Sequence, residues 1–234
     1  MTATIHKIGG NRAPSLEPMF KLVAPGMNKV NAVILDRMQS EIPLIPELAG
    51  HLIAGGGKRM RPLIVLLAAR ACGYRGSGHI DAAAFIEFIH TATLLHDDVV
   101  DGSSRRRGRD TANAVYGNQA SVLVGDFVYS RAFQMMAAIG SQRVMEIMSE
   151  ATNVIAEGEV LQLMNAGDPD TTQQRYLEVV YRKTAKLFEA GAEVAAVIAF
   201  FASEAASFVT GAVVPVDGGI TANTGQFTPR PLTN

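Results

Sequence analysis

The sequence predicts an all-α protein, and three observations support that prediction. From Asn28 onward, apolar residues recur at steps of three and four positions, which is the period of an amphipathic helix. Glycine and proline interrupt this pattern at intervals, so helix is expected to follow helix with short loops between them. Strand-like patterns are almost absent before residues 212–216, where Ala-Val-Val-Pro-Val precedes Asp-Gly-Gly.

The composition limits the classes of function. The chain has 234 residues, of which 48% are hydrophobic, and 21 Lys+Arg against 22 Asp+Glu give a net charge of −1. These values exclude a disordered chain and a generally basic, nucleic-acid-binding surface. The single cysteine, the start without an apolar signal-peptide core and the short apolar runs lead us to expect a cytoplasmic protein with no integral membrane segment.

The predicted elements fall into three regions. Residues 1–26 hold three prolines and three glycines with little periodicity, so we expect a mobile N-terminal arm. A helical domain is expected over 27–190, and a tail over 191–234 begins where the chain changes character; within it, 212–216 is expected to form a buried strand. The predicted helices are 27–41, 44–54, 60–71, 79–101, 119–139, 142–165 and 172–190.

Three acids, Asp97, Asp98 and Asp101 (the aspartate cluster), stand at the end of the apolar helix predicted over 79–101. Asp97 and Asp101 are one helical turn apart, with Asp98 about 100° round, so their carboxylates are expected to converge. Like charges near a helix C-terminus are favourable mainly when divalent cations neutralise them. The cluster therefore predicts a Mg²⁺ site for a diphosphate, because Mg²⁺ bound by carboxylates takes phosphate oxygens as further ligands.

The alternative for these acids is a solvated helix end, which an isolated Asp-Asp-x-x-Asp would favour. The preceding segment, 85–95, is too apolar for a free surface helix, so we expect the acids at the mouth of a buried space. His90 is expected on one stripe with Leu94, Asp97 and Asp101. A ligand contact and a satisfied core position remain equally open for this histidine.

Two glycine-flanked cation clusters accompany the acids. Residues 56–62 are Gly-Gly-Lys-Arg-Met-Arg-Pro, and residues 103–109 are Ser-Ser-Arg-Arg-Arg-Gly-Arg. Glycines let backbone amides approach an anion, and arginine binds phosphate with two parallel hydrogen bonds. Together with the aspartate cluster and the apolar helix, they predict two diphosphate substrates beside an apolar cavity, one held through Mg²⁺ and one held directly by cations.

Five segments resemble the trans-isoprenyl diphosphate synthases, specifically the long-chain octaprenyl or decaprenyl branch of bacterial type. They are GGKRMRP (56–62), FIHTATLLHDDVVDGSSRRRG (88–108), TANAVYGNQASVLVGDFVYSRAF (111–133), EGEVLQL (157–163) and YLEVVYRKTAKLFEA (176–190). The resemblance covers roughly 28–190 and implies an isoprenoid-synthase-type helical bundle, usually homodimeric, with Mg²⁺. It implies head-to-tail condensation, in which isopentenyl diphosphate attacks the carbocation formed from an allylic diphosphate.

The resemblance also implies roles by position. Asp97, Asp98 and Asp101 would bind Mg²⁺ and the allylic diphosphate and, with Lys183, form the catalytic set. The implied diphosphate-binding residues are Arg106, Lys183 and Thr184 for the allylic substrate, and Lys58, Arg61, His90 and Arg107 for isopentenyl diphosphate. The small residues Ala92 and Thr93 before the acids imply a long product, such as the polyprenyl side chain of a quinone.

The C-terminal part departs from this pattern. The family's second aspartate-rich motif has no counterpart, since the acids after Phe188 include no Asp-Asp pair. Residues 193–224 instead resemble the last helix and strand of a short-chain dehydrogenase/reductase, so we expect a C-terminally truncated bundle with an appended helix-strand tail. Dehydrogenase activity is opposed by the missing Gly-x-Gly-x-x-Gly turn.

Several roles therefore remain open. The chain is expected to be a polyprenyl diphosphate synthase whose turnover depends on whether the first aspartate motif suffices. Alternatively, it is a non-catalytic diphosphate-binding or regulatory subunit, for example in a heterodimer with a complete synthase, or the product of a truncated or rearranged gene.

Overall fold

The computed structural model describes residues 15–54, 56–203 and 206, and the strand expected at 212–216 lies outside them. This described part is a bundle of nine α-helices with one π-helical turn and one short hairpin. The elements are α1 Glu17–Arg37, α2 Leu44–Ala54, α3 Met60–Ala71, α4 Gly78–Val100, β1 Arg105–Arg106, β2 Arg109–Asp110, α5 Ala112–Tyr116, α6 Asn118–Ile139, α7 Gln142–Asn165, α8 Gln173–Val180, the π turn Tyr181–Ala185 and α9 Lys186–Phe201.

Helix α1 begins at Glu17, within the segment expected to be an arm. Pro18 occupies the first helical turn, where its missing N–H group has no intrahelical partner in any case. Pro25 lies inside the helix, and the loss of one backbone hydrogen bond there is offset by burial of one face. That face contains Val23 and Val30 and packs against α3 and α4. Tertiary packing therefore overrides the local proline signal.

Helix α4 forms the centre of the bundle. It packs against α1, α3, α6 and α9, and its side chains from Phe85 to Ile89 are almost completely buried. A helix that is apolar on nearly all sides is stable only when neighbours cover it all round. The same helix ends at the aspartate cluster, so the acids lie at one end of the hydrophobic core.

Helix α9 continues past residue 190 without interruption. Val194, Val197 and Ile198 belong to the same buried cluster as α4, and a Cβ atom on Gly191 would lie 3.0 Å from Val65 Cγ2. This close approach lets α9 pack tightly on α3. The described part of the expected tail therefore shares the core of the helical domain.

The hairpin between α4 and α5 has no counterpart in the predicted elements. Its strands pair Arg105 with Asp110 and Arg106 with Arg109. The two turn residues, Arg107 and Gly108, have φ values of 53° and 81°, as a two-residue type I′ turn requires. Strands of two charged residues show no apolar alternation, so the sequence pattern could not indicate them.

Within the described residues, α6 is the one helix long and apolar enough to cross a bilayer by length and composition. This is weak evidence for a membrane span, because core helices pass the same test. Helix α6 packs extensively against α4, which is typical of a core helix.

Candidate active site

The aspartate cluster is divided between two cavities on opposite sides of α4. Asp98 is 4% exposed and lines a space with Gly56, Arg106 and Arg107, which we call the basic cavity. Asp97 and Asp101 line a second space of about 530 Å³ between α4, α6 and α7, which we call the acidic cavity. The structure thus brings Asp97 and Asp101 together, but it directs Asp98 away from them.

The predicted stripe of His90, Leu94, Asp97 and Asp101 is the ridge between these cavities. His90 and Leu94 line the basic cavity together with Asp98, whereas Asp97 and Asp101 line the acidic cavity. Positions seven residues apart on a helix differ by only about 20° in direction. His90 and Asp97 therefore lie on the same stripe of α4. They line different cavities because the packing of neighbouring elements separates the two cavities along this stripe.

Asp98 forms a bidentate ion pair with Arg106. Arg106 Nη2 donates to Asp98 Oδ1 at 2.8 Å, and Arg106 Nε lies 3.1 and 3.2 Å from the two carboxylate oxygens. Arg106 reaches Asp98 from strand β1 of the hairpin that follows α4. A buried carboxylate needs such a partner, since an unpaired one would be strongly destabilising.

Asp97 belongs to a three-residue ion-pair network. Lys183 Nζ lies 3.4 Å from Asp97 Oδ2 and 2.6 Å from Glu159 Oε2. Burial raises the pKa of Asp97 and of Glu159, and the charge of Lys183 offsets part of both shifts. Burial alone would lower the pKa of Lys183, but Glu159 and Asp97 raise it overall. Lys183 therefore stays positively charged beside Asp97 and Glu159, which both line the acidic cavity.

A glycine and a π turn bring Lys183 to this position. Lys183 lies in the π turn Tyr181–Ala185, an irregularity that often occurs at functional sites. A Cβ atom on Gly158 would lie 2.7 Å from Arg182 Cβ and 2.9 Å from Lys183 N. Only glycine lets α7 approach the π turn this closely, and this approach places Glu159 beside Lys183.

The acidic cavity is suited to an apolar chain below its charged mouth. Its walls include Ile89, Ala92, Ile155 and Ala156, with Thr93 at the side of α4. Because Ala92 and Thr93 are small, the wall beside the aspartates stays open. The cavity therefore combines carboxylates with mostly apolar walls.

The basic cavity concentrates arginine around a neutral histidine. Arg59, Arg106 and Arg107 line it, and Arg107 Nη1 donates to the Gly56 carbonyl at 2.5 Å. Burial lowers the pKa of His90 to about 3, with further contributions from the charges of Arg61, Arg106, Arg107 and Arg59. His90 is therefore uncharged at neutral pH and offers one N–H donor and one acceptor nitrogen.

The remaining predicted residues differ in their placement. The Arg61 guanidinium lies 4.6 Å from the centroid of the Phe188 ring, and its buried Nε has no hydrogen-bond partner. Burial lowers the pKa of Arg61, an effect opposed by the charge of Glu87. Lys58 is exposed in the loop before α3, and Thr184 is exposed beside Lys183 in a surface pocket.

Several charged residues that line the two cavities were not predicted from the sequence, among them Arg59, Glu87, Asp126 and Glu159. Glu159 lies within EGEVLQL, a segment to which no role was assigned. Glu87 had a usable signal, since a carboxylate in the middle of an apolar helix requires a buried partner. Its partner Arg59 could not be identified from sequence spacing, because Arg59 immediately precedes α3 whereas Glu87 lies in α4.

The carboxylates of the acidic cavity fit a hard divalent cation. Asp97, Asp101 and Glu159 supply oxygen atoms alone, which suits Mg²⁺. Among residues 15–54, 56–203 and 206, no group of three His, Cys, Asp or Glu has metal-binding geometry. Mg²⁺ would therefore be held by one or two of these carboxylates together with oxygens of a bound diphosphate.

Comparison with known proteins shows a consistent similarity. The family model described as polyprenyl synthetase matches residues 42–211, so the match reaches beyond residue 190. Octaprenyl diphosphate synthase of Escherichia coli (strain K12) is 60% identical over 185 residues, which are 79% of this chain and 57% of that protein. The chain thus spans about half the length of the curated relatives it matches.

Solved structures agree with this similarity. A decaprenyl diphosphate synthase from Rhodobacter capsulatus aligns with a TM-score of 0.77 at 53% identity, over 79% of this chain and 57% of that one. A polyprenyl synthase from Caulobacter crescentus CB15, complexed with calcium and isoprenyl diphosphate, aligns with a TM-score of 0.78 at 50% identity. That alignment covers 81% of this chain and 58% of the other.

The contact between α7 and the π turn predicts the effect of a single methyl group. Gly158→Ala should lower the free energy of unfolding by about 1–3 kcal/mol, because overpacking against backbone atoms outweighs the gain in helix propensity. Urea denaturation measures this change. Gly50→Ala on α2 is the matched control, since nothing lies within 4 Å of the added atom, and it should be neutral or stabilising. Equal effects of both substitutions would refute the close-packing explanation.

The neutral state of His90 predicts a pH dependence of stability. Its pKa is lowered in the folded protein, so the unfolded chain binds a proton that the folded one does not between about pH 6.5 and 3. The free energy of unfolding should therefore decrease as the pH is lowered through this window. The decrease should be steeper than in His90→Gln by up to about 1.4 kcal/mol per pH unit. Denaturation at several pH values tests the slope, and NMR titration of the His90 ring should show no protonation near pH 5.

Proposed function

Because this chain belongs to the polyprenyl synthetase family, we propose that it is a long-chain trans-polyprenyl diphosphate synthase. It would condense isopentenyl diphosphate head-to-tail with an allylic diphosphate to make a long polyprenyl diphosphate, such as a quinone side chain. The observation that supports this proposal most directly is the pair of cavities on the two sides of α4. One has acids at the mouth of an apolar space, and the other is lined by arginines.

We assign the allylic diphosphate to the acidic cavity. Asp97 and Asp101 would hold it through Mg²⁺, and Lys183 would contact it directly. The resemblance also assigns Asp98, Arg106 and Thr184 to this substrate. Asp98 and Arg106 form an ion pair with each other on the other side of α4. They would contact the allylic diphosphate only if this ion pair opened; otherwise they would contribute by fixing the end of α4.

We assign isopentenyl diphosphate to the basic cavity. Arg107 and His90 line this cavity, Arg61 lies near His90, and Lys58 stands in the adjacent exposed loop. Neutral His90 would donate its N–H group to a phosphate oxygen, while the arginines supply positive charge. The structure of the Caulobacter relative, described with calcium and isoprenyl diphosphate, supports diphosphate binding within this family.

The reaction requires charge stabilisation and a dry cavity. The allylic carbon–oxygen bond breaks with its electron pair leaving on the diphosphate, and the double bond of isopentenyl diphosphate attacks the resulting cation. A new carbon–carbon bond forms and one proton is lost. When bound, Mg²⁺ neutralises charge that develops on the departing diphosphate. Lys183 would add positive charge at the same place, and the apolar walls would keep water from the cation.

The length of the product follows from the shape of the acidic cavity. Ala92 and Thr93 leave its wall open beside the aspartates, so a growing chain can pass them. The relatives named as octaprenyl and decaprenyl diphosphate synthases support a product of this class. The dehydrogenase-like resemblance of 193–224 adds no activity to the proposal, because the described part, 193–203, continues α9 and the turn that ends it.

A second copy of the chain is the proposed partner. Helix α6 is strongly apolar, yet only a third of its most apolar stretch is buried, and Leu123 is 67% exposed beside Val122. An apolar helix face of this kind is typical of an interface between subunits. We also propose a cytoplasmic location and no nucleic-acid partner, in accord with the balanced charge.

The oligomeric state tests this interface. Leu123→Glu should convert a dimer to a monomer, because a charge would be buried in an apolar contact. Sedimentation equilibrium measures the mass of each variant. Leu177→Glu, at a similarly exposed apolar position on α8, is the control and should leave the mass unchanged. A wild-type monomer, or a dimer that tolerates Leu123→Glu, would exclude this surface.

The synthase proposal predicts Mg²⁺-dependent elongation. Purified protein incubated with Mg²⁺, farnesyl diphosphate and labelled isopentenyl diphosphate should yield long polyprenyl products, measured by chain-length analysis after extraction. Asp97→Asn should lower the rate at least a hundredfold, since it removes a carboxylate that would hold Mg²⁺ against the departing diphosphate. Absence of product, with Mg²⁺-dependent binding of the allylic substrate retained, would favour the non-catalytic subunit instead.

The same assay distinguishes the two substrate assignments. Arg107→Ala should raise KM for isopentenyl diphosphate and leave the affinity for the allylic substrate unchanged. Equal losses for both substrates would contradict the division between the two cavities.

A further inference from the structure

Glu87 is a buried carboxylate that the proposed reaction does not use. It lies in the middle of α4, is 7% exposed and borders the basic cavity. A carboxylate in a cavity proposed to bind diphosphate would repel the ligand if it acted only through its charge. Its presence there needs another explanation.

The partner of Glu87 is Arg59, the residue that immediately precedes α3. Arg59 Nη1 donates to Glu87 Oε1 at 2.6 Å. The Arg59 backbone has φ 47° and ψ 39°, the left-handed conformation that residues other than glycine rarely adopt. Such a conformation costs about 1 kcal/mol or more and persists only when other contacts impose it. Two contacts hold Arg59 in place: its ion pair with Glu87 and the hydrogen bond that Leu63 N donates to the Arg59 carbonyl at 3.0 Å.

The ion pair holds one end of the glycine loop, residues 56–58. At the other end, Arg107 Nη1 donates to the Gly56 carbonyl. The loop is therefore fixed at two points, by Arg107 from the hairpin and by Glu87 through Arg59. Lys58 precedes Arg59 directly, and Arg61 follows it in the first turn of α3. A change in the Arg59 backbone would redirect both of these cations.

Glu87 also acts on a second arginine. Its charge favours the charged form of Arg61, whose guanidinium is otherwise penalised by burial. Glu87 thus offsets the charges of two of the arginines near His90, Arg59 and Arg61, while Asp98 offsets the charge of Arg106. Grouping cations this closely in a partly buried space is costly without such a counter-charge.

We infer that Glu87 is a positioning residue for the isopentenyl diphosphate site: through its ion pair with Arg59, it holds the loop before α3 and the Arg61 side chain in the geometry that binds the diphosphate. This inference rests on the proposed function of the basic cavity. Glu87 does not touch the substrate, and its effect passes through Arg59. The allylic site lies on the other side of α4 and is independent of this ion pair.

Charge and positioning predict opposite effects of removing Glu87. If the carboxylate acted only by its charge, Glu87→Gln would strengthen diphosphate binding by removing a repulsion. If it positions Arg59, the same substitution weakens binding, because the loop and Arg61 lose their fixed geometry. Loss of a charged hydrogen bond of this kind corresponds to about a tenfold weaker Kd.

The test uses isothermal titration calorimetry on the full chain. Isopentenyl diphosphate reports on the basic cavity, and farnesyl thiodiphosphate with Mg²⁺, which resists ionisation, reports on the acidic cavity. Glu87→Gln should weaken the first ligand about tenfold and leave the second unchanged. Glu146→Gln, which breaks the Arg143–Glu146 ion pair on α7, is the matched control and should change neither.

A double-mutant cycle identifies the route of the effect. Arg59→Gln should weaken isopentenyl diphosphate by itself, and Glu87→Gln should have no further effect in that background. If Glu87→Gln does not fold, Arg59→Gln tests the same pair, and unchanged binding by this variant overturns the inference.

The outcomes separate the two levels of proposal. Tighter or unchanged binding of isopentenyl diphosphate by Glu87→Gln, additive effects in the cycle, or equal weakening of both ligands would overturn the positioning role. Failure of the wild-type protein to bind isopentenyl diphosphate would instead overturn the proposed function of the basic cavity, and the positioning role with it.

Discussion

Burial of α4 is the constraint on which the site depends. This helix is surrounded by α1, α3, α6 and α9, yet it bears Glu87, Asp97 and Asp98. Carboxylates at the edge of an apolar core must be paired, because the cost of leaving them unpaired exceeds most single contributions to stability. Each of the three has a cation from a different segment, namely Arg59, Lys183 and Arg106. These pairs attach the loops and the π turn to the central helix.

The pairing explains how one helix serves two sites. The two cavities are separated along the stripe of α4 that contains His90 and Asp97. Asp97 and Asp98 are adjacent in sequence, yet Asp97 lines the acidic cavity and Asp98 lines the basic cavity. The close approach of helices α6 and α7 to their neighbours depends on glycine, which has no side chain. A Cβ atom on Gly125 would collide with the His96 ring, as one on Gly158 would with the π turn. Small residues therefore determine the separation of the helices, and this separation determines which charges meet.

Much of the fold could be predicted from apolar spacing and its interruptions. Helices α2, α3 and α7 have the bounds expected from the sequence, and the bounds of α4 and α6 differ from the expected ones by one residue. The start of α1 was missed because Pro25 is tolerated inside a helix whose buried face is well packed. The hairpin at 105–110 was missed because two-residue strands of charged side chains have no periodic pattern.

The sequence by itself determined the helical class, the aspartate cluster at the end of an apolar helix and the two groups of cations. These are properties of neighbouring residues, and the 3.6-residue period is enough to reveal them. Only the tertiary structure decided that Asp98 turns from Asp97, that Lys183 joins Glu159, and that Arg59 is held by Glu87. Such pairs join residues far apart in the chain, and their formation depends on how closely and at what angle the helices pack.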